Sequence, residues 1–175
     1  EMFEKVETES PGTPEAGEAR IERALTLKGE GDSETALSLL ETIKPETFSD
    51  ALVDRARVES AAIHLEKKRY DQAAAIYAAV AQSRSDDIGA EAQYGAAEVL
   101  VARGDVQGGI AAFARVKYLY PASREWIGQA TLRMGDGYVT LGQTEKARES
   151  YTNVATEYKE SALGRAAEKR LEGLK

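Results

Sequence analysis

A chain of 175 residues with 42% hydrophobic and 30% charged residues suits one globular domain or one short repeat array, and is too apolar for general disorder. Its 29 alanines beside 3 Phe, 1 Trp and 4 Pro favour helices packed closely over small side chains. The absence of Cys excludes a disulfide, a thiolate zinc site and a cysteine nucleophile, and a single His leaves no histidine cluster for a metal. No apolar run reaches the roughly 18 residues of a membrane span, and no signal peptide is visible. The net charge of −7 is uneven: residues 1–50 hold 13 acids and 5 bases, residues 51–175 hold 17 and 18. An acidic chain lacks the basic footprint that nucleic-acid phosphates require. The start at Glu1 rather than Met is what a fragment or a processed chain would show.

Residues 1–15, EMFEKVETESPGTPE, combine Pro11, Gly12 and Pro14 with scattered Glu and read as an acidic linker. From Ala16 the pattern is helical, and breakers recur at Gly31, Pro45, Ser83–Asp87, Gly104, Pro121 and Gly142. Predicted helices therefore cover about 16–28, 33–44, 51–66, 70–82, 88–102, 106–119, 124–140, 144–158 and 161–174.

The breakers repeat in register. Gly31, Lys68, Gly104 and Gly142 occupy one loop position at spacings of 37, 36 and 38 residues. Five residues on stand Ala36, Ala73, Gly109 and Ala147; four further, Leu40, Tyr77, Phe113 and Tyr151; three further again, Ile43, Val80, Val116 and Val154. Small, large and β-branched residues at these spacings form one buried helix face. Upstream of each loop, Ala19, Ala56, Ala92 and Ala130 align, as do Ala24, Ala61, Ala97 and Gly135, and then Leu27, His64, Leu100 and Tyr138. Each unit is thus a pair of antiparallel helices, the first carrying small residues where a neighbour comes close.

These positions resemble the tetratricopeptide repeat (TPR), best in the fourth unit, with Met134-Gly135, Tyr138, Gly142, Ala147 and Tyr151. The third unit supplies Gly104, Phe113 and Pro121, whereas Arg20, Arg23, Arg57 and Ser60 stand where the family usually has apolar residues. The resemblance implies an all-α, right-handed superhelical solenoid over 16–175, with repeats at about 16–50, 51–87, 88–123 and 124–160 and a cap at 161–175. The run Tyr120-Pro121-Ala122-Ser123 and the units longer than 34 residues are similar to bacterial cell-envelope TPR proteins, the barrel-assembly lipoprotein and Tol–Pal-associated periplasmic types. That resemblance implies a periplasmic or cell-envelope setting.

The same resemblance makes the first helix of each repeat the lining of an inner groove. The inward positions are Glu18, Ile21, Glu22 and Leu25; Arg55, Val58, Glu59 and Ala62; Glu91, Tyr94, Gly95 and Glu98; Gln129, Leu132, Arg133 and Asp136. Such a groove suits a basic or apolar segment of a partner protein. Glu59, Glu91, Glu98 and Asp136 would supply the field, with Tyr94 and Leu132 giving contact area beside Arg133. The Asn and Lys clamp of chaperone-binding relatives is absent, because the single Asn153 lies on a second helix.

No constellation supports catalysis or a cofactor. His64 reads as a packed residue sooner than a general base, and Gly135-Asp136-Gly137 follows no strand, so it is no phosphate loop. Asp86-Asp87, Glu34 and Glu145 sit where acids stabilise helix N-termini. Tyr118, Tyr120 and Trp126 bracket Pro121 and read as packing of the connection, with Trp126 as the alternative partner anchor. The sequence therefore predicts a non-catalytic interaction scaffold, with self-association into a homo-oligomer as the alternative. The terminal helix, from Ser161, is expected to lay Leu163, Ala167, Leu171 and Leu174 on the fourth repeat and turn Arg165, Lys169, Arg170 and Glu172 to solvent.

Overall fold

The computed structural model describes residues 12–174, so most of the predicted linker lies outside the described residues. Among the described residues there are nine helices and no strand: α1 Pro14–Gly29, α2 Ser33–Leu40, α3 Asp50–Glu66, α4 Tyr70–Ser83, α5 Asp87–Ala102, α6 Val106–Leu119, α7 Arg124–Thr140, α8 Thr144–Glu157 and α9 Ala162–Gly173. They fall into two compact units, one ending at Val80 and the other beginning at Ala81.

The start of α1 corrects the predicted linker end. Thr13 Oγ1 accepts the Ala16 N–H at 3.2 Å, and Pro14, with its φ preset and no N–H to lose, opens the helix two residues before Ala16. The end of α2 is a second correction, since it stops at Leu40 rather than residue 44. Thr42 and Ile43 donate to Leu39 and Leu40 in tight i→i−3 turns, and the residue before Pro45 is disfavoured in helical geometry.

The repeat register holds in both units. Leu40, Tyr77, Phe113 and Tyr151 are all buried, with Ala36, Ala73, Gly109 and Ala147 below them and Ile43, Val80, Val116 and Val154 above. The loop position is equally regular. Gly31, Gly104 and Gly142 have φ of +90°, +91° and +70°, and Lys68 takes φ +58° at the same place. At each turn this residue donates to the carbonyl three back, and its successor donates to the carbonyl five back, on Leu27, His64, Leu100 or Tyr138. The result is one helix-ending motif made four times.

In the first unit α1 packs on α2 and both meet α3, around Ile21, Leu40, Phe48 and Leu52. In the second unit α5 to α9 each pack on the next helix, and α5, α7 and α9 also touch in series. Close approach explains Gly135: a Cβ there would lie 2.3 Å from the Tyr151 ring. Tyr120 and Tyr158 hold equivalent places and each tethers its hydroxyl to a backbone carbonyl, Tyr120 to Ala81 O at the end of α4 at 2.7 Å and Tyr158 to Arg124 O at the start of α7 at 2.5 Å. The helix starts repeat as well, with Thr13, Ser49, Asp86, Ser123 and Ser161 as N-caps. By that spacing α9 starts at the position of a first helix.

Candidate functional site

The predicted groove residues lie on successive first helices, and each unit arranges its own set differently. In the first unit Ile21 and Val58 are buried flooring, while Glu18 and Glu22 of α1 converge on one guanidinium, that of Arg55 on α3. Glu22 holds it at 3.1 Å. One turn further along α3, Glu59 has no hydrogen-bond or ion-pair partner among the described residues. Burial pushes its carboxyl up, against the opposing pull of Lys28 and Arg55.

In the second unit a ladder of charges crosses α5, α7 and α9. Arg133 of α7 grips Glu98 of α5 with both prongs, at 2.5 and 2.7 Å, and reaches Asp136 at 3.1 Å. Asp136 in turn receives Arg170 of α9 at 2.7 and 3.2 Å and the Tyr151 hydroxyl at 2.8 Å. Burial alone would raise the Asp136 carboxyl; hydrogen bonds from Arg170, Tyr151 and Arg133 outweigh it and hold the group below its ordinary value. Burial and the Asp136 carboxylate raise Tyr151, and Glu98 raises Arg133 further above its normal range.

The fold thus brings Tyr94, Glu98, Arg133 and Asp136 together, with half-buried Glu91 one turn before Tyr94. Tyr94 lies with its ring 5.1 Å from Phe113 and 5.4 Å from Trp126, centroid to centroid. Burial and then Glu98 push its hydroxyl up. Two expectations need correction here. Leu132 is 4% exposed, packed with Ala147 and Val154, and offers no contact area. Arg170 does not simply face solvent, because Asp136 draws its guanidinium toward α7. Arg170 and Tyr151 are the site residues that sequence reasoning missed. The available signal was that Arg170 lies within one residue of the position equivalent to Arg133, as Asp136 is the equivalent of Glu98.

The connection residues divide as well. Tyr120 is buried and Trp126 is half-buried against Tyr94, but Tyr118 is 80% exposed. Tyr118 stands on the rim of an outer cleft of about 310 Å³ between α6 and α8, floored by Phe113 and by Ile127, Thr131, Met134 and Tyr138 of α7. The first unit has its counterpart, a cleft of about 270 Å³ floored by Leu40 and by Val53, Arg57, Ser60 and His64 of α3. Among the described residues no group of His, Asp and Glu could hold a metal ion, and no helix is long and apolar enough to cross a membrane.

Helix pairs closed by one repeated turn, with a constant small-and-large core alphabet, define an all-helical repeat protein of the tetratricopeptide type. The chain belongs to the tetratricopeptide repeat-like domain family, whose model matches residues 3–175. It is similar in fold to the crystal structure of a tetratricopeptide repeat protein from Parabacteroides merdae ATCC 43184, with a TM-score of 0.60 at 15% identity over 90% of this chain. The chain spans 59% of that structure's length. No curated protein sequence matches it.

Proposed function

We propose that this chain is a non-catalytic interaction scaffold that holds a segment of a partner protein on the first-helix face. The observation that supports this most is the ladder Glu98–Arg133–Asp136–Arg170. Four half-exposed charged groups from three helices are fixed by mutual hydrogen bonds, so a ligand meets them without having to order long side chains. The ladder also changes the expected ligand. Arg133 and Arg170 offset two of the three acids Glu91, Glu98 and Asp136, so the first-helix face of the second unit presents donors and acceptors in alternation with one negative charge in excess. A segment with one basic group and neighbouring backbone polar groups fits that face better than a polybasic one.

We place the chain in the bacterial cell envelope on the similarity of Tyr120-Pro121-Ala122-Ser123 and the long repeats to envelope TPR proteins. A photo-reactive side chain at Glu91 or Glu98 should give discrete adducts in envelope extract, and one at Glu172 on the charged side of α9 should not. Adducts from Glu172 alone would remove the first-helix face from consideration, and recovery of the native chain in the cytoplasmic fraction would remove the location. Self-association is a second reading, favoured by Val139 and Leu141, 45% and 40% exposed beside one turn. Light scattering at rising concentration tests it, and a strict monomer ends it.

A further inference from the structure

The outer cleft of the second unit has chemistry that the first-helix face lacks. Its floor is largely apolar: Phe113 lies at the bottom, and Ile127, Met134 and Tyr138 are half-buried along one stripe of α7, interrupted by Thr131, that none of the described residues covers. The eleven helical rises from Ile127 to Tyr138 make that stripe about 16 Å long. The walls are α6 and α8, each packed against α7 through a short turn, so the two run in the same direction.

One lysine stands on each wall. Lys117 belongs to the last turn of α6 and Lys146 to the first turn of α8. Because the walls run in the same direction, the two ammonium groups flank opposite ends of the stripe. Neither has a carboxylate partner among the described residues. Lys146 rests its ammonium 5.5 Å from the centroid of the Tyr138 ring instead. The first-helix arginines contrast with them, since Arg55, Arg133 and Arg170 are all engaged by acids. The one acid on the cleft's lining is Glu149, so the rim stays net positive.

We propose that this cleft is a second docking site, separate from the first-helix face, and that its occupant is an acidic segment of a partner protein carrying an apolar anchor. The anchor sits over Met134 between α6 and α8, and acids to either side of it meet Lys117 and Lys146. Charge complementarity selects this occupant: a basic segment would bring like charge to both ends of the stripe. Tyr118 at the rim adds a broad face against which the anchor's flank can pack. The first-helix face and this cleft would then take segments of opposite preference, which lets one chain hold two partners at once.

The test uses a displayed library of random twelve-residue peptides panned on the full chain. The expected clones carry at least two acids around one aromatic or large aliphatic residue. Synthetic peptides from them should bind Lys117→Glu/Lys146→Glu at least tenfold more weakly, with a similar loss in Met134→Ser. Binding should also weaken as salt rises and should stay unchanged in Arg133→Gln. The lysines lie on the surface, and circular dichroism confirms that the variants stay folded. Clones without acidic excess, equal binding by the double lysine variant, or no enrichment at all would each overturn the proposal. Clones that lose binding only in Arg133→Gln would assign the peptides to the first-helix face.

Discussion

The two outer clefts are built on one frame and carry different chemistry. Leu40 and Phe113 are equivalent floor residues, Lys44 and Lys117 are equivalent on the rim, and the stripes Val53, Arg57, Ser60, His64 and Ile127, Thr131, Met134, Tyr138 share register. In the first unit the stripe is polar: Arg57 pairs with Asp54 at 3.0 Å, and Ser60 donates to Ala56 O at 2.9 Å. In the second, Thr131 replaces Arg57, and Met134 and Tyr138 replace Ser60 and His64. Thr131 repeats the Ser60 bond by donating to Ile127 O at 2.8 Å, but none of the described residues covers the stripe. The positions below the stripe are fixed by packing, while the stripe itself is free to carry function. A fold built from repeats separates the two demands, one set of positions to make the frame and another to differ between units.

The largest effect should come from the frame. Phe113→Ala is expected to destabilise by about 3–5 kcal/mol and Leu40→Ala by about 2–5 kcal/mol, because both leave a cavity under a cleft. Denaturant unfolding of each variant measures this. If one substitution were costly and its counterpart neutral, the two clefts would not share a frame.

Second in size is the charge ladder, which the first unit does not continue in this form. Asp136→Asn keeps the shape but leaves Arg133, Arg170 and Tyr151 facing a neutral amide. A loss of about 1.5–3 kcal/mol is expected, typical of hydrogen bonds to a charged group. The sign with pH follows from the lowered carboxyl. Asp136 binds its proton less readily in the folded chain, so its contribution is complete above the unfolded value of 3.8 and is lost as pH falls through the folded value. Asp136→Asn should flatten the acid limb of the stability profile. An unchanged limb would mean that the ladder is decorative.

Core positions were legible because packing imposes a period. Ala36, Leu40 and Ile43, with their three sets of counterparts, recur at fixed offsets, and all are buried. The loop position was legible for the same reason, since a turn with positive φ selects Gly in three cases out of four. The site was legible only as a set of faces. Periodicity put Glu98, Arg133 and Asp136 on first helices, but pairing between helices decides whether an acid remains a field source, and no spacing rule reports that choice. Leu132 shows the other limit: position on an inward face does not distinguish floor from surface when a neighbouring helix covers it.

The turn at Lys68 gives a smaller and cleaner comparison. Gly31, Gly104 and Gly142 adopt positive φ without a Cβ clash, whereas Lys68 adopts it at a cost of about 1–2 kcal/mol for a side-chain-bearing residue. Glycine also has more freedom to lose on folding, by about 0.5–1 kcal/mol. Lys68→Gly should therefore stabilise the chain by about 0.5–1 kcal/mol, seen as a higher denaturation midpoint. Destabilisation would show that the Lys68 side chain makes a contact worth more than its strain.

The smallest expected effect is also the one that separates the clefts most directly. His64 and Tyr138 hold equivalent places, and both carbonyls close the same turn. Only the imidazole titrates near neutrality. Its Nδ1 is buried without a hydrogen-bond partner, and burial followed by the nearby Arg69 lowers its affinity for a proton, against the opposite pull of Glu34 and Glu41. The folded chain thus favours neutral His64 more than the unfolded chain does. Its contribution to stability is full above the unfolded value of 6.5 and is lost as pH falls through the lower folded value. His64→Tyr, which makes the first cleft resemble the second at this place, should remove that dependence while leaving the acid limb set by Asp136. Thermal melts of the two proteins from pH 7.5 down to about pH 5 span the range in which an ordinary imidazole takes up its proton. Parallel curves would mean that His64 protonates as easily in the cleft as in the unfolded chain, and the burial of Nδ1 would then have no energetic consequence.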